Sequence, residues 1–200
     1  MKGKFIVIEG CDYKGKSSVI KHLVKNLKLL GIEAISTKAL GDTDYGKKLR
    51  HKLMEEKGLL SIDSQIDIAI DAMQDINVRK IKTSLEDGTT IICDRYYYST
   101  LVYQGYLNNE IELVEEKLIW ANLIEPDITF ILDCKTDELL RRKSERTDTN
   151  SFDPKNRKEF DKVRQGYLSL THRANTQMIK TDGLTISDIG GKIMEIISTL

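Results

Sequence analysis

Phe5-Ile6-Val7-Ile8-Glu9-Gly10-Cys11-Asp12-Tyr13-Lys14-Gly15-Lys16-Ser17-Ser18 decides the fold. Phe5 to Ile8 is apolar, rich in β-branched residues and bounded by Gly10, so it reads as a buried strand. From Ser18 to Leu30, Val19, Ile20, Leu23, Val24, Leu27 and Leu30 share one helical face, and Gly31 supplies a stop. Between strand and helix, Gly10 to Ser17 matches G-x-x-x-x-G-K-[ST] in full. The glycines let the backbone turn its N–H groups toward phosphate oxygens, and the helix N-terminus adds partial positive charge. Lys16 is placed to reach the β- and γ-phosphates, and the Ser17 hydroxyl to ligate Mg²⁺. A glycine-containing turn with an incidental lysine is the bland alternative, and the flanking strand and helix argue against it. The motif implies ATP or GTP binding and leaves the next chemical step open.

The alternation continues along the chain. Ile32 to Thr37 reads as a second strand and Gly41 to Gly46 as a polar loop. Ser64 to Leu85, with Ile66, Ile70, Met73, Ile76 and Ile81, predicts one long helix ended by Asp87-Gly88. Thr89 to Cys93 predicts a strand closed by Asp94, Leu113 to Leu123 a helix, and Ile128 to Leu132 a strand after Pro126. Asp137 to Glu145 and Lys158 to Ala174 read as helices, Met178 to Lys180 as a short strand and Ser187 to Ile197 as a last helix. Arg146 to Asn156 is polar, contains Pro154 and reads as a mobile stretch. Strands alternating with helices require crossovers, hence an α/β, three-layer P-loop fold: a five-stranded parallel sheet with helices on both faces. No repeat or biased linker divides the 200 residues, so one domain over 1–200 is expected, with a lid around 141–156.

Hydrophobic residues make up 40% and charged residues 31%, an ordinary balance for a soluble domain. The 31 basic and 31 acidic side chains cancel, which gives a nucleic-acid partner no support. Cys11, Cys93 and Cys134 are widely spaced, and His22, His51 and His172 sit in no metal-ligand spacing. Cys93 and Cys134 read as small buried hydrophobes in preference to a disulfide or metal site. No apolar run approaches the roughly 20 residues that span a bilayer, and Phe5 to Ile8 is too short for a signal-peptide core. The expectation is a cytoplasmic protein without a membrane partner.

Asp94-Arg95-Tyr96 forms a second constellation, directly after the strand Thr89 to Cys93. Ligands of open parallel sheets sit at the carboxyl ends of strands, which places Asp94 near the phosphate loop. There a carboxylate can hold Mg²⁺ or one of its waters, and the planar fork of Arg95 can neutralise a transferring phosphoryl group. A strand-end aspartate beside a solvated arginine is the alternative.

Together the segments Glu9 to Ser18 and Asp94-Arg95-Tyr96-Tyr97-Tyr98-Ser99-Thr100-Leu101-Val102-Tyr103-Gln104-Gly105 resemble the thymidylate kinase family. That family shows E-G-x-D-x-x-G-K-[ST]-[ST] and D-R-[YFH]-x-x-S-x-x-A-[YF]-Q-G. Leu123-Ile124-Glu125-Pro126-Asp127 and Arg164-Gln165-Gly166-Tyr167-Leu168 extend the likeness toward the C-terminus. The resemblance implies a nucleoside monophosphate kinase that transfers the γ-phosphate of ATP to dTMP with Mg²⁺, usually as a homodimer. It implies catalytic roles for Lys16, Arg95 and Asp12. ATP would be held by Gly10, Cys11, Asp12, Tyr13, Lys14, Gly15, Lys16, Ser17 and Ser18, with Arg142 and Arg146 from the lid. Asp12, Lys38, Arg50, Met73, Arg95, Ser99, Thr100, Tyr103 and Gln104 would line the acceptor pocket, and Ser17 and Asp94 would serve the metal. The lid cations equally fit a solvated basic helix face. The Leu118-Ile119-Trp120 run fits either a dimer interface or core.

The chain departs from the family pattern on the acceptor side. Lys38-Ala39-Leu40-Gly41-Asp42-Thr43 lacks the usual arginine, leaving Lys38 or Arg50 to replace it. Ala69 and Met73 occupy the positions of a base-stacking aromatic and a base-reading arginine. Asp71 and Asp75 on the same helix read either as acceptors for an exocyclic amine or as a polar face. Asn150-Ser151-Phe152-Asp153 replaces a more basic lid motif, and Lys14 is a candidate substitute cation. These departures leave open a kinase for another deoxynucleotide or a nucleoside, or an ATP-binding protein with a degenerate acceptor site.

Overall fold

The computed structural model describes residues 3–13, 15–144 and 151–200. β1 (Phe5–Glu9), β2 (Ala34–Lys38), β3 (Thr90–Asp94), β4 (Ile128–Asp133) and β5 (Thr176–Lys180) pair in parallel in the order β2-β3-β1-β4-β5. The expected five-stranded parallel sheet is therefore present. Period-two alternation splits β1 between two cores. Phe5 and Val7 join Ile66, Phe160 and Tyr167 on one face, while Ile6 and Ile8 join Leu23, Phe130 and Ile193 on the other.

α1 (Lys16–Leu29) and α9 (Ile186–Ile197) cover that second face. α9 carries a capping box, with Thr185 and Asp188 satisfying each other's backbone N–H groups. The first face is covered by α3 (Ile62–Ile76), α6 (Ile111–Ala121) and α8 (Arg157–Leu168). α3 runs on through a π-helical turn (Asn77–Ile81) into α4 (Lys82–Glu86), so the predicted long helix exists with one widened turn. At that turn the buried Asn77 accepts a hydrogen bond from Tyr96 Oη at 2.8 Å. α7 (Thr136–Ser144) follows β4.

Several boundaries differ from expectation. The polar loop read over 41–46 is cut short at Thr43, which caps α2 (Asp44–Glu55) by accepting from Gly46 N at 2.8 Å. Thr43 also donates to Asp75 on α3, which moors the cap. A second unread helix, α5 (Tyr97–Thr100), continues into a π-helical turn (Leu101–Gly105). β2 and β5 begin at Ala34 and Thr176, and α8 ends at Leu168 in place of Ala174. Residues 145–150, including Arg146, lie outside the described residues, as does Lys14. Among the described residues no helix is long and apolar enough to cross a membrane. Cys11, Cys93 and Cys134 are all buried, as the apolar runs around Cys93 and Cys134 indicated for those two.

Candidate active site

The phosphate loop leaves the central strand under tight steric control. Gly10 has φ +128°, and a Cβ there would lie 2.5 Å from the Leu132 carbonyl oxygen of β4. Gly15, at φ +78°, caps α1. Tyr13 also has positive φ, +66°, and its hydroxyl donates to Asp153 Oδ2 at 2.9 Å. Lys16 is almost fully buried, and its Nζ donates to the carbonyls of Gly10 (3.1 Å) and Cys11 (2.9 Å). Burial, and then Arg95, push the Lys16 ammonium below its ordinary value. The Cys11 side chain is wholly in the core, so this residue contributes to the loop through its backbone.

Arg95 follows β3 in a left-handed conformation, φ +66°, which turns its side chain toward the loop. Its guanidinium donates to Asp12 Oδ1 (2.6 Å), Tyr167 Oη (2.7 Å) and Ser99 Oγ (3.1 Å). Burial, the largest single influence, would lower its basicity, but Asp12 together with Tyr167, Tyr103 and Glu9 outweighs it and raises the guanidinium above its ordinary value. Burial would likewise raise Asp12, yet Arg95 and Lys16 hold it below the usual carboxylate range. Tyr103 Oη donates to the second Asp12 oxygen at 2.9 Å. Asp12, Arg95 and Lys16 thus form one charged knot at the mouth of the loop.

Beneath the knot, Glu9 organises the start of α5. Its carboxylate accepts from the N–H groups of Tyr96 (2.7 Å) and Ser99 (3.1 Å), and from the hydroxyls of Ser99 (2.8 Å) and Tyr167 (3.2 Å). Burial pushes the Glu9 carboxyl above its ordinary value of 4.5, and the opposing pull of Arg95, the Tyr96 amide and Ser99 does not cancel it. A carboxyl raised in the folded state favours folding below its unfolded value and loses that contribution as pH rises through its folded value. Glu9→Gln is uncharged throughout. Its melting temperature relative to wild type should therefore climb between pH 4.5 and neutrality. A difference that stays flat across that range contradicts the shift.

These groups open into a cavity of about 350 Å³. Its polar lining includes Asp12, Tyr13, Gly15, Lys16, Ser17, Ser18, Lys38, Arg50, Asp94, Arg95, Ser99, Thr100, Tyr103 and Gln104. Its apolar lining comprises Ala39, Leu40, Leu53, Met54, Ala69, Met73 and Phe152. Most residues expected from sequence therefore meet here. Lys38 pairs in register with Asp94, and burial together with nearby Arg50 lowers its basicity. Arg142 does not line the cavity: it donates to Glu138 at 2.6 Å and to the Tyr13 carbonyl at 3.3 Å. Asp71 and Asp75 also lie apart from it, and Asp75 is engaged by Thr43 and Arg79, which favours the polar-face reading of the two left open. Sequence reasoning missed Leu53, Met54 and Phe152; Leu53 and Met54 had a signal, as apolar residues inside a charged stretch.

A glycine loop leaving the central strand of a five-stranded parallel sheet, with an aspartate–arginine pair at the neighbouring strand end, defines a P-loop phosphotransferase. The thymidylate kinase family model matches residues 8–189. The chain is 38% identical to the thymidylate kinase of Rickettsia typhi, covering 86% of this chain and 85% of the relative. It is 32% identical to that of Chlamydia caviae, covering 90% and 89%. It is 34% identical to that of Prochlorococcus marinus, covering 98% and 99%. The chain belongs to the thymidylate kinase family, and is an ATP-dependent nucleoside monophosphate kinase.

Proposed function

We propose that this enzyme transfers the γ-phosphate of ATP to dTMP, releasing ADP and dTDP. The observation that carries this is the meeting, in one cavity, of the phosphate loop with Arg95–Asp12 and with a separate cationic pair, Lys38 and Arg50. ATP takes Gly10 to Ser18, with Lys16 on its terminal phosphates. The acceptor phosphate takes Lys38 and Arg50, and Thr100 and Gln104 face the nucleoside. An acceptor oxygen forms the new P–O bond as the bond to ADP breaks. The acceptor phosphate is already ionised, so no strong base is required, and positioning with charge stabilisation suffices. Arg95 sits where it can neutralise charge spread over the group in transit.

Asp94 Oδ1 is buried without a hydrogen-bond partner among the described residues, and Asp94 Oδ2 accepts from Ser17 Oγ at 3.4 Å. This donor set suits a hard divalent cation, so Ser17 and Asp94 would hold Mg²⁺. When bound, the ion supplies charge neutralisation at the phosphate oxygens. ADP release measured against a panel of nucleosides and monophosphates tests the assignment. Turnover with dTMP above all others supports it; preference for another acceptor overturns dTMP, and absence of transfer to any acceptor overturns the kinase.

A homodimer formed through α6 belongs to the same proposal. Ile119 and Trp120 are 78% and 81% exposed, which favours an interface over core for that run. Sedimentation should give a dimer that Trp120→Lys dissociates; a monomeric wild type contradicts it.

A further inference from the structure

A pyrimidine ring in the acceptor pocket needs a flat apolar partner, and α3 offers none. It turns Ala69 and Met73 to the cavity, a methyl and a flexible thioether. Four aromatic side chains line the cavity. Three are tyrosines whose hydroxyls are bonded within the protein: Tyr13 to Asp153, Tyr96 to Asn77 and Tyr103 to Asp12. The fourth is Phe152, partly exposed and carrying no polar group.

Phe152 is held in place from several sides. Ser151 Oγ donates to the Met54 carbonyl at 2.7 Å, and Lys57 Nζ donates to the Ser151 carbonyl at 3.0 Å. The same Lys57 ammonium stands 3.8 Å from the centre of the Phe152 ring, a cation–π contact. Tyr103 meets the ring at 85° with centroids 5.9 Å apart. On the far side of the segment, buried Asp153 is fastened to Tyr13 of the phosphate loop.

We propose that Phe152 is the aromatic wall against which the nucleoside of the acceptor monophosphate packs. The acceptor is then gripped from the 151–153 segment and the end of α2, in place of a ring on α3. The Asp153–Tyr13 bond joins that grip to the loop that holds the donor. The contact presupposes dTMP as acceptor, as proposed for this enzyme.

Initial rates and calorimetric dTMP binding for wild type, Phe152→Ala, Phe152→Leu and Phe152→Tyr test it. Loss of a ring–base contact should weaken the acceptor on the order of 10-fold in KM and Kd for both the alanine and leucine variants. Phe152→Tyr should stay within about twofold of wild type, and the KM for ATP should be unchanged in all variants. Unchanged acceptor constants in Phe152→Ala overturn the inference. So does full rescue by leucine, which would make the residue an apolar plug, and so does a parallel rise in the KM for ATP. A wild type that prefers another mononucleotide removes dTMP as acceptor instead. The same four proteins are then compared on that mononucleotide, with the same outcomes deciding on Phe152.

Discussion

Arg95→Ala should lower kcat by about 10²–10³ while the KM for ATP changes little. The side chain is partly buried and fixed by three hydrogen bonds before any substrate arrives, so its charge need not reorganise during transfer. Preorganised charge of this kind acts on the transition state more than on bound ATP, which places the loss in kcat. Asp12 keeps its hydrogen bond from Tyr103 in the variant, so the loop retains one anchor on that side. Arg95→Lys restores a charge without the fork that spans Asp12, Tyr167 and Ser99, and should recover only part of the rate. Near-normal turnover in the alanine variant would remove Arg95 from the chemistry.

Gly10→Ala should destabilise the fold by about 3–5 kcal/mol and abolish tight ATP binding. Two penalties act together there. The backbone lies at φ +128°, where side chains are strained, and the new Cβ would meet the Leu132 carbonyl at 2.5 Å. That oxygen belongs to β4, the hydrogen-bonded neighbour of β1, so relief requires parting two central strands. The Gly10 carbonyl also receives Lys16 Nζ, so movement of the loop displaces the cation proposed for the terminal phosphates. For a chain of this size the thermal midpoint should fall by on the order of 10 °C. A variant that melts like wild type and still binds ATP would show that the loop can be rebuilt around a methyl group.

The donor side of the site was legible in the sequence because it is local. A strand, a glycine turn and a helix lie between Phe5 and Leu29, and the residue types of the turn answer the demands of a phosphate chain. The acceptor side is assembled from distant segments, and its determinants are tertiary. α2 escaped notice because only Gly46 and Leu53 of its twelve residues are buried. It owes its start to Thr43, which is tied to Asp75 across to α3, and no periodic pattern records such a bond. α5 has no periodic signal in its four residues; Glu9 captures the N–H groups of Tyr96 and Ser99 and so fixes the start of the helix. Ala69 and Met73, which the family resemblance set on the acceptor side, both line the cavity. Phe152 could not be placed, because its position depends on Met54 and Lys57 roughly a hundred residues earlier.

The order of the strands divides the two halves of the site by how readily they open. β1 is the middle strand of five, so the amides beneath the phosphate loop should be among the last to exchange with solvent. Lys38 instead ends β2, an edge strand, and Arg50 rides on the sparsely buried α2. The proposed acceptor half should therefore fluctuate more readily than the proposed donor half. Warming, denaturant or a remote substitution will reach affinity for the acceptor nucleotide well before it reaches affinity for ATP.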